Sequence, residues 1–265
     1  MSDRVSAVVW IGVMPEYVTL RIKRQDRPSA APYWQVFRVR YIPQMNVISC
    51  LQAIAANPVT AEGTPTTPVA WDCNCLEEVC GACTMVINGQ VRQSCTALVD
   101  QLLEYDPKTI VLEPMTKFPV VRDLVVDRSS MFEGLKRFKA WVPVDGYYDA
   151  GPGPTISQRE QEEAYPLARC MTCGCCLEAC PQVNPRSPFV GAALINQVIL
   201  FNSHPTGRAI AHERLEEMMK PGGITECGNA QNCVKVCPKD IPLTESIARL
   251  GGQTTRYAIR RWLRR

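Results

Sequence analysis

The order of apolar and polar positions divides the chain into a strand-rich front and a helix-rich back. Residues 17 to 24, YVTLRIKR, alternate apolar and polar, as do residues 36 to 41, VFRVRY. A period of two predicts half-buried strands. NVISCLQAIAA at 46 to 56 carries apolar residues at helical spacing, and Asn57-Pro58 stops the predicted helix. A loop rich in Thr and Pro, VTAEGTPTTPVA, leads to the first cysteines and then to TMVINGQVRQSC. There Asn88-Gly89 between two short runs predicts a tight hairpin with a type I′ turn, whose two central residues both need positive φ. KTIVLEP at 108 to 114 adds one more strand, so the front is a small mixed sheet with one helix.

After FPVVRDLVVD the pattern turns helical, in SSMFEGLKRFKAWV, in the 190 to 201 run and in ERLEEMMK, with a Gly/Pro break at DAGPGP and no further strands. The boundary falls near Asp127, giving domains 1–127 and 128–265 and an α+β fold class. No internal repeat and no low-complexity run is present.

Composition narrows the function classes. With 265 residues, 46% of them hydrophobic, the chain has material for a packed core. A net charge of +3 is too mild to point to nucleic acid, and no binding signature for it occurs. No apolar stretch reaches the roughly 18 residues a spanning helix needs. The nearest, VGAALINQVILF, contains Asn196 and Gln197. The start, MSDRVSAVVWIGVM, lacks a cleavage site and reads as no signal peptide. These features predict a chain that stays in the cytoplasm, where its 14 cysteines are reduced and free to ligate metal. With only 2 histidines, that chemistry is dominated by sulfur.

Cys75, Cys80, Cys83 and Cys95 are spaced C-x4-C-x2-C-x11-C. This spacing predicts a 2Fe-2S cluster, three thiolates coming from one loop and the fourth from the far strand of a hairpin. Gly81 gives that loop freedom to approach the inorganic sulfides. The competing reading is a structural zinc site, which ordinarily pairs its ligands in two C-x2-C knuckles. Cys73 is a bystander.

RCMTCGCCLEACP holds five cysteines, more than one four-coordinate site uses. Cys170, Cys173, Cys176 and Cys180 form C-x2-C-x2-C-x3-C followed by Pro181, a run whose fourth cysteine serves a different cluster. Cys175, between ligand positions, is spare, its side chain directed away. In CGNAQNCVKVCP the same template falls on Cys227, Ala230, Cys233 and Cys237. Cross-ligation then gives one complete 4Fe-4S set, Cys170, Cys173, Cys176 and Cys237. The other set, Cys180, Cys227 and Cys233, meets Ala230 at its fourth corner and predicts a 3Fe-4S cluster. Cys50, on the first helix, is a small buried residue.

There is no dinucleotide motif, P-loop or nucleophile motif, so no catalytic residue is assigned and the chemistry falls to partners. The combination of WDCNCLEEVCGACTMVING, FPVVRDLVVD, RCMTCGCCLEACP and CGNAQNCVKVCP resembles the iron-sulfur subunit of succinate dehydrogenase and fumarate reductase, over nearly the whole chain. Glycolate oxidase and heterodisulfide reductase subunits share such runs but fit the order less well.

The resemblance implies a β-grasp ferredoxin domain followed by an α-helical ferredoxin domain. It also implies a place between a flavoprotein with covalent FAD and a membrane anchor carrying quinone and haem b, on the cytoplasmic face of the cell membrane. Electrons would run from FAD through the 2Fe-2S, 4Fe-4S and 3Fe-4S centres. Succinate oxidation is the expected direction, with fumarate reduction as the alternative. Many ubiquinone-reducing members carry tryptophans soon after the position of Cys180 and a histidine after that of Cys227. Here PQVNPRSPF and Gly228 stand in those places, a likeness to the menaquinone-linked branch.

The competing classes are a scaffold held by redox-silent clusters and a zinc-binding adaptor. His204 and His212 stand alone and receive no role. The tail TRYAIRRWLRR, with five arginines, reads equally as a solvated helix end or as a contact to anionic headgroups.

Overall fold

The computed structural model describes residues 15–105, 109–143 and 154–264. The apolar start at 1–14 and nearly all of the break at 149–154 lie outside them. In the front half, strands β1 (Tyr17–Arg24) and β2 (Tyr33–Arg40) precede helix α1 (Val47–Ala56). They are followed by β3 (Thr84–Ile87), β4 (Gln90–Gln93), α2 (Val99–Tyr105) and β5 (Ile110–Glu113). The sheet runs β2-β1-β5-β3-β4, with β1 and β5 parallel and the other neighbours antiparallel.

Alternation in β1 decides which face is buried. Val18, Leu20 and Ile22 enter the core while Tyr17 and Arg21 face out. The α1 residues Val47, Cys50, Leu51 and Ile54 complete this core, and the Asn46 side chain caps the helix by accepting from Ser49 N at 2.9 Å. Asn88 and Gly89 turn the β3–β4 hairpin with φ of 49° and 76°, both positive as a type I′ turn requires. The sequence pattern foresees one helix here; α2 is a second, too short at seven residues to show a period.

A buried ion pair ties the long loop before the first cysteines to this sheet. Arg24 and Asp123 are both 0% exposed, and Arg24 Nε donates to Asp123 Oδ1 at 2.8 Å. The other Arg24 N–H groups reach Gln35, Thr67 and the Pro68 carbonyl. Asp123 also accepts from the backbone N–H of Gln25 and Ala70, at 3.0 and 2.8 Å. Such a pair holds its geometry because every charge is hydrogen-bonded. Asp123 sits in a small hairpin of β6 (Val120–Arg122) and β7 (Val125–Val126), inside the FPVVRDLVVD stretch.

The back half consists of α3 (Ser129–Arg137), α4 (Gln158–Ala168), α5 (Cys175–Glu178), α6 (Ala192–Ser203), α7 (Ala211–Met218), α8 (Asn232–Lys235) and α9 (Leu243–Leu263). Helix α6 lies at the centre, packed against α4, α7 and α9. The polar residue that interrupts its apolar run has a structural use: Asn196 is fully buried, donates to the Leu167 carbonyl at 2.9 Å and accepts from Ser246 Oγ. Arg214, also 0% exposed, is satisfied by Asn202 Oδ1 and by the carbonyls of Lys139, Trp141 and Gly207. Burial pushes its pKa down.

The second core centres on α6 but draws Val91, Met115 and Phe118 from the front half. At this junction Glu178 accepts from Thr116 N, Thr116 Oγ1 and Lys117 N at 2.6–2.9 Å. The whole is an α+β fold, a β-grasp sheet followed by helices. No described helix is long and apolar enough to cross a membrane.

Candidate metal centres

The first cysteine group forms where the long loop meets the hairpin. Leu76, Glu78 and Gly81 all take positive φ, at 61°, 56° and 73°, and curl the loop so that its N–H groups point inward. Glu77 N, Val79 N and Cys80 N donate to Cys75 Sγ at 3.4, 3.2 and 3.3 Å. Cys75 N and Ala82 N donate to Cys80 Sγ at 3.5 and 3.4 Å. Such a nest stabilises negative charge on sulfur. The Cys75 thiol is accordingly drawn down to about 7, first by the Glu77 and Val79 amides.

Cys83 precedes β3 and Cys95 follows β4, so the hairpin register brings them side by side, with Ser94 N donating to the Cys83 carbonyl at 3.2 Å. Both are buried. Burial, then a hydrogen bond with the Cys83 thiol, pushes Cys95 up to about 12, and the charge of Cys75 reaches it as well. The four thiols therefore lie near one another. Cys73 is exposed, with Cys75, Cys80 and Cys83 near enough to raise its pKa after burial has done so.

The back-half cysteines divide between two cavities. Cys170, Cys173, Cys176 and Cys237 line one, where Cys175, expected to turn away, also borders the space, and Cys176 is pushed well up by burial and then by Cys173, Cys170 and Cys237. Cys180, Cys227 and Cys233 line the other together with Ala230 and Gly228. Cys233 is raised by burial and then by Cys180 and Cys227 among its neighbours. Helices α5 and α8 pack together between them, and Asn232 Nδ2 donates to the Ala179 carbonyl at 3.0 Å.

These donors fit iron-sulfur clusters on chemical grounds. The two back-half sets each line a cavity, and among the described residues no three or more His, Cys, Asp or Glu converge closely enough to hold a single ion. Thiolates spaced around a hollow suit a polynuclear cage and not a zinc tetrahedron.

Residues outside the cysteine pattern join the first site to the second. A Cβ on Gly81 would stand 2.7 Å from Cys173 Cβ and 2.9 Å from Cys173 Cα. The glycine thus has a further use beyond room for sulfide: it lets two cluster loops touch. Arg128 clamps the same contact, donating to the carbonyls of Gly81, Ala82 and Cys173 at 2.8, 3.3 and 3.3 Å. Cys173 is drawn down to about 7 by the Cys175 thiol first, with Arg128 assisting. Spacing alone had no means of finding Arg128 or the fully buried Gln93, because both act across the junction of the two halves. Gln93 Nε2 reaches Cys175 Sγ at 3.5 Å, which directs the spare thiol toward β4. His204 Nδ1 accepts from Thr206 N and Gly207 N, a local turn.

Comparison with known proteins finds matches for both halves of the chain. Residues 19–133 match a family described as a 2Fe-2S iron-sulfur cluster binding domain, and residues 166–241 one described as a 4Fe-4S dicluster domain. The chain is 57% identical over 249 residues to the succinate dehydrogenase iron-sulfur subunit of Bacillus subtilis, covering 93% of this chain and 97% of that one. It is 30% identical over 241 residues to the fumarate reductase iron-sulfur subunit of Wolinella succinogenes, covering 89% and 97%. A chain of the Mycobacterium smegmatis Sdh1 complex in the apo form shares the fold with a TM-score of 0.73 at 21% identity, covering 91% of this chain and 96% of that one.

Proposed function

The chain belongs to the iron-sulfur subunit family of succinate dehydrogenases and fumarate reductases, and from that premise we propose that it conducts electrons from the FAD of a flavoprotein partner to menaquinone at a membrane anchor carrying haem b. It is a subunit of an oxidoreductase, with 2Fe-2S and 4Fe-4S cluster domains. In this reading Cys75, Cys80, Cys83 and Cys95 hold the 2Fe-2S cluster. Cys170, Cys173, Cys176 and Cys237 hold the 4Fe-4S cluster, and Cys180, Cys227 and Cys233 hold a 3Fe-4S cluster. The domains are 1–127 and 128–265, and the subunit lies peripherally on the cytoplasmic face of the membrane.

The observation that carries the reading is the division of the back-half ligands between two cavities, one lined by the proposed set of four together with Cys175 and one lined by three cysteines plus Ala230. When bound, the clusters supply centres that take up and release single electrons. The chain's own residues set their surroundings. The Cys75 nest supplies N–H donors to sulfur, and Gly81 with Arg128 holds the first two sites in contact. Ala230 offers no sulfur, so the third site has one corner without a thiolate.

Near that site Gln182 lies over Gly228, so close that a Cβ there would meet its Nε2 at 2.5 Å. Neither tryptophan nor histidine is present at the two family positions, which supports a quinone pocket built by the anchor. The assembled complex should pass electrons from succinate to a menaquinone analogue in preference to ubiquinone. Selective ubiquinone reduction at a pocket beside the third site would overturn the menaquinone assignment.

A further inference from the structure

Between the first and second sites lies one fully buried amide that no cluster motif includes. Gln93 is 0% exposed and pairs with Thr84 across the β3–β4 hairpin, one residue from Cys83 on one strand and two from Cys95 on the other. Its Nε2 donates to Thr84 Oγ1 at 2.8 Å and to Cys175 Sγ at 3.5 Å, and its Oε1 faces Cys83 Sγ at 3.5 Å. Thr84 Oγ1 donates in turn to the Gly81 carbonyl at 2.8 Å. One side chain therefore touches a sulfur of each half.

The orientation of that amide depends on what Cys83 carries. A thiol can donate to Oε1, as here, but a cluster-bound thiolate has no proton to give, and an amide oxygen facing it would be repelled. The two ends of a glutamine amide are nearly equal in shape, so a half-turn exchanges them without moving the chain. After that turn Nε2 donates to the Cys83 sulfur. Oε1 then accepts from the Thr84 hydroxyl, and from the Cys175 thiol when its one proton turns from the Cys173 sulfur to the amide. The Gly81 carbonyl, released by Thr84, keeps its 2.8 Å bond from Arg128. In this arrangement the amide nitrogen faces an acceptor and the amide oxygen faces donors.

We propose that Gln93 is a positioning residue that sets the potential of the first centre, its amide N–H bonding the Cys83 thiolate while the buried Cys175 thiol holds the amide in that orientation. This rests on the assignment of Cys83 to the 2Fe-2S cluster. An N–H bond to a ligand sulfur stabilises the reduced, more negative state and raises the potential. The spare cysteine thereby gains a task as donor to the amide.

The test is a redox titration of the assembled complex followed by the electron paramagnetic resonance signal of the reduced 2Fe-2S centre. Gln93→Met keeps the volume and removes the donor, and should shift the one-electron reduction equilibrium about tenfold toward the oxidised state, a fall of about 59 mV. Gln93→Glu adds an acceptor and should lower the potential at least as far. Cys175→Ala, which leaves Gln93 in place but frees its amide, should give a smaller fall in the same direction, while Cys175→Ser should restore most of it.

In the unaltered protein the Fe–S stretching bands of the first centre should shift on deuterium exchange, and in Gln93→Met that shift should shrink. A full 2Fe-2S signal whose equilibrium moves less than twofold, about 18 mV, in both Gln93→Met and Cys175→Ala overturns the role of Gln93. Absence of any 2Fe-2S signal from the unaltered complex overturns the cluster assignment and this proposal with it.

Discussion

Replacing Gly81 with alanine tests the contact on which the first two sites depend. The new Cβ would fall 2.7 Å from Cys173 Cβ, 2.9 Å from Cys173 Cα and 3.2 Å from the Met171 carbonyl oxygen. Carbon atoms prefer about 3.5–4.0 Å, so the two loops must part by roughly 0.8 Å or more. Neither can yield freely, because Cys80 and Cys83 flank one side and Arg128 binds the carbonyls of both. Overpacking of this kind costs about 1–3 kcal/mol.

The positive φ of 73° adds its own penalty, about 1–2 kcal/mol for a side chain in the left-handed region. Gly63 is the control, since its φ is 83° and a Cβ there meets nothing within 4 Å. Gly63→Ala therefore carries only the backbone penalty. The difference between the variants should be about 1–3 kcal/mol, or about 2–12 °C in apparent unfolding temperature for a protein of this size. Thermal unfolding of the complex measures it, with Gly81→Ala the less stable. Equal unfolding temperatures for the two variants would refute the close approach.

Other predictions follow from the fold. Asp123→Ala strands the buried Arg24 charge and should cost about 3–5 kcal/mol, visible as a lower denaturant midpoint; a loss under 1 kcal/mol would show that the pair does not hold the loop. The Glu160 carboxyl is held at about 2, first by Arg208 and then by the Ser157 cap. A depressed folded value means its contribution is complete above the ordinary 4.5 and is lost as the pH falls through about 2. An NMR titration should show the low midpoint, moving up toward 4.5 in Arg208→Ala. Cys50 is buried and its thiol is pushed up to about 12 by burial, so iodoacetamide at pH 8 should label it only after unfolding; rapid labelling of the native protein would contradict its place in the core.

The front half was legible because its signals are local. The alternation of YVTLRIKR and the Asn88-Gly89 turn each state a backbone geometry within a few residues. The same logic fails for α4, whose QREQEEAYPLA has no apolar stripe; its one local sign is Ser157 three residues before Glu160, a capping box. Helix α9 was hidden by Gly251-Gly252 and two threonines in its middle, poor helix formers that tertiary packing overrides through Leu250 and Thr254. At the candidate metal centres, spacing proposes the cysteine sets because ligation is a matter of which sulfurs reach one point. Gly81 against Cys173, Arg128 and Gln93 had no such signature. Their roles arise where the sheet meets the helices, and neither half states that contact alone.

The vacancy at position 230 bears most directly on the third centre. In the oxidised complex, electron paramagnetic resonance should display a 3Fe-4S signal, and Ala230→Cys should abolish it and give instead a 4Fe-4S centre seen only on reduction. An unaltered protein that lacks the oxidised signal, or a cysteine variant that keeps it at full strength, would contradict the division of ligands into a set of four and a set of three.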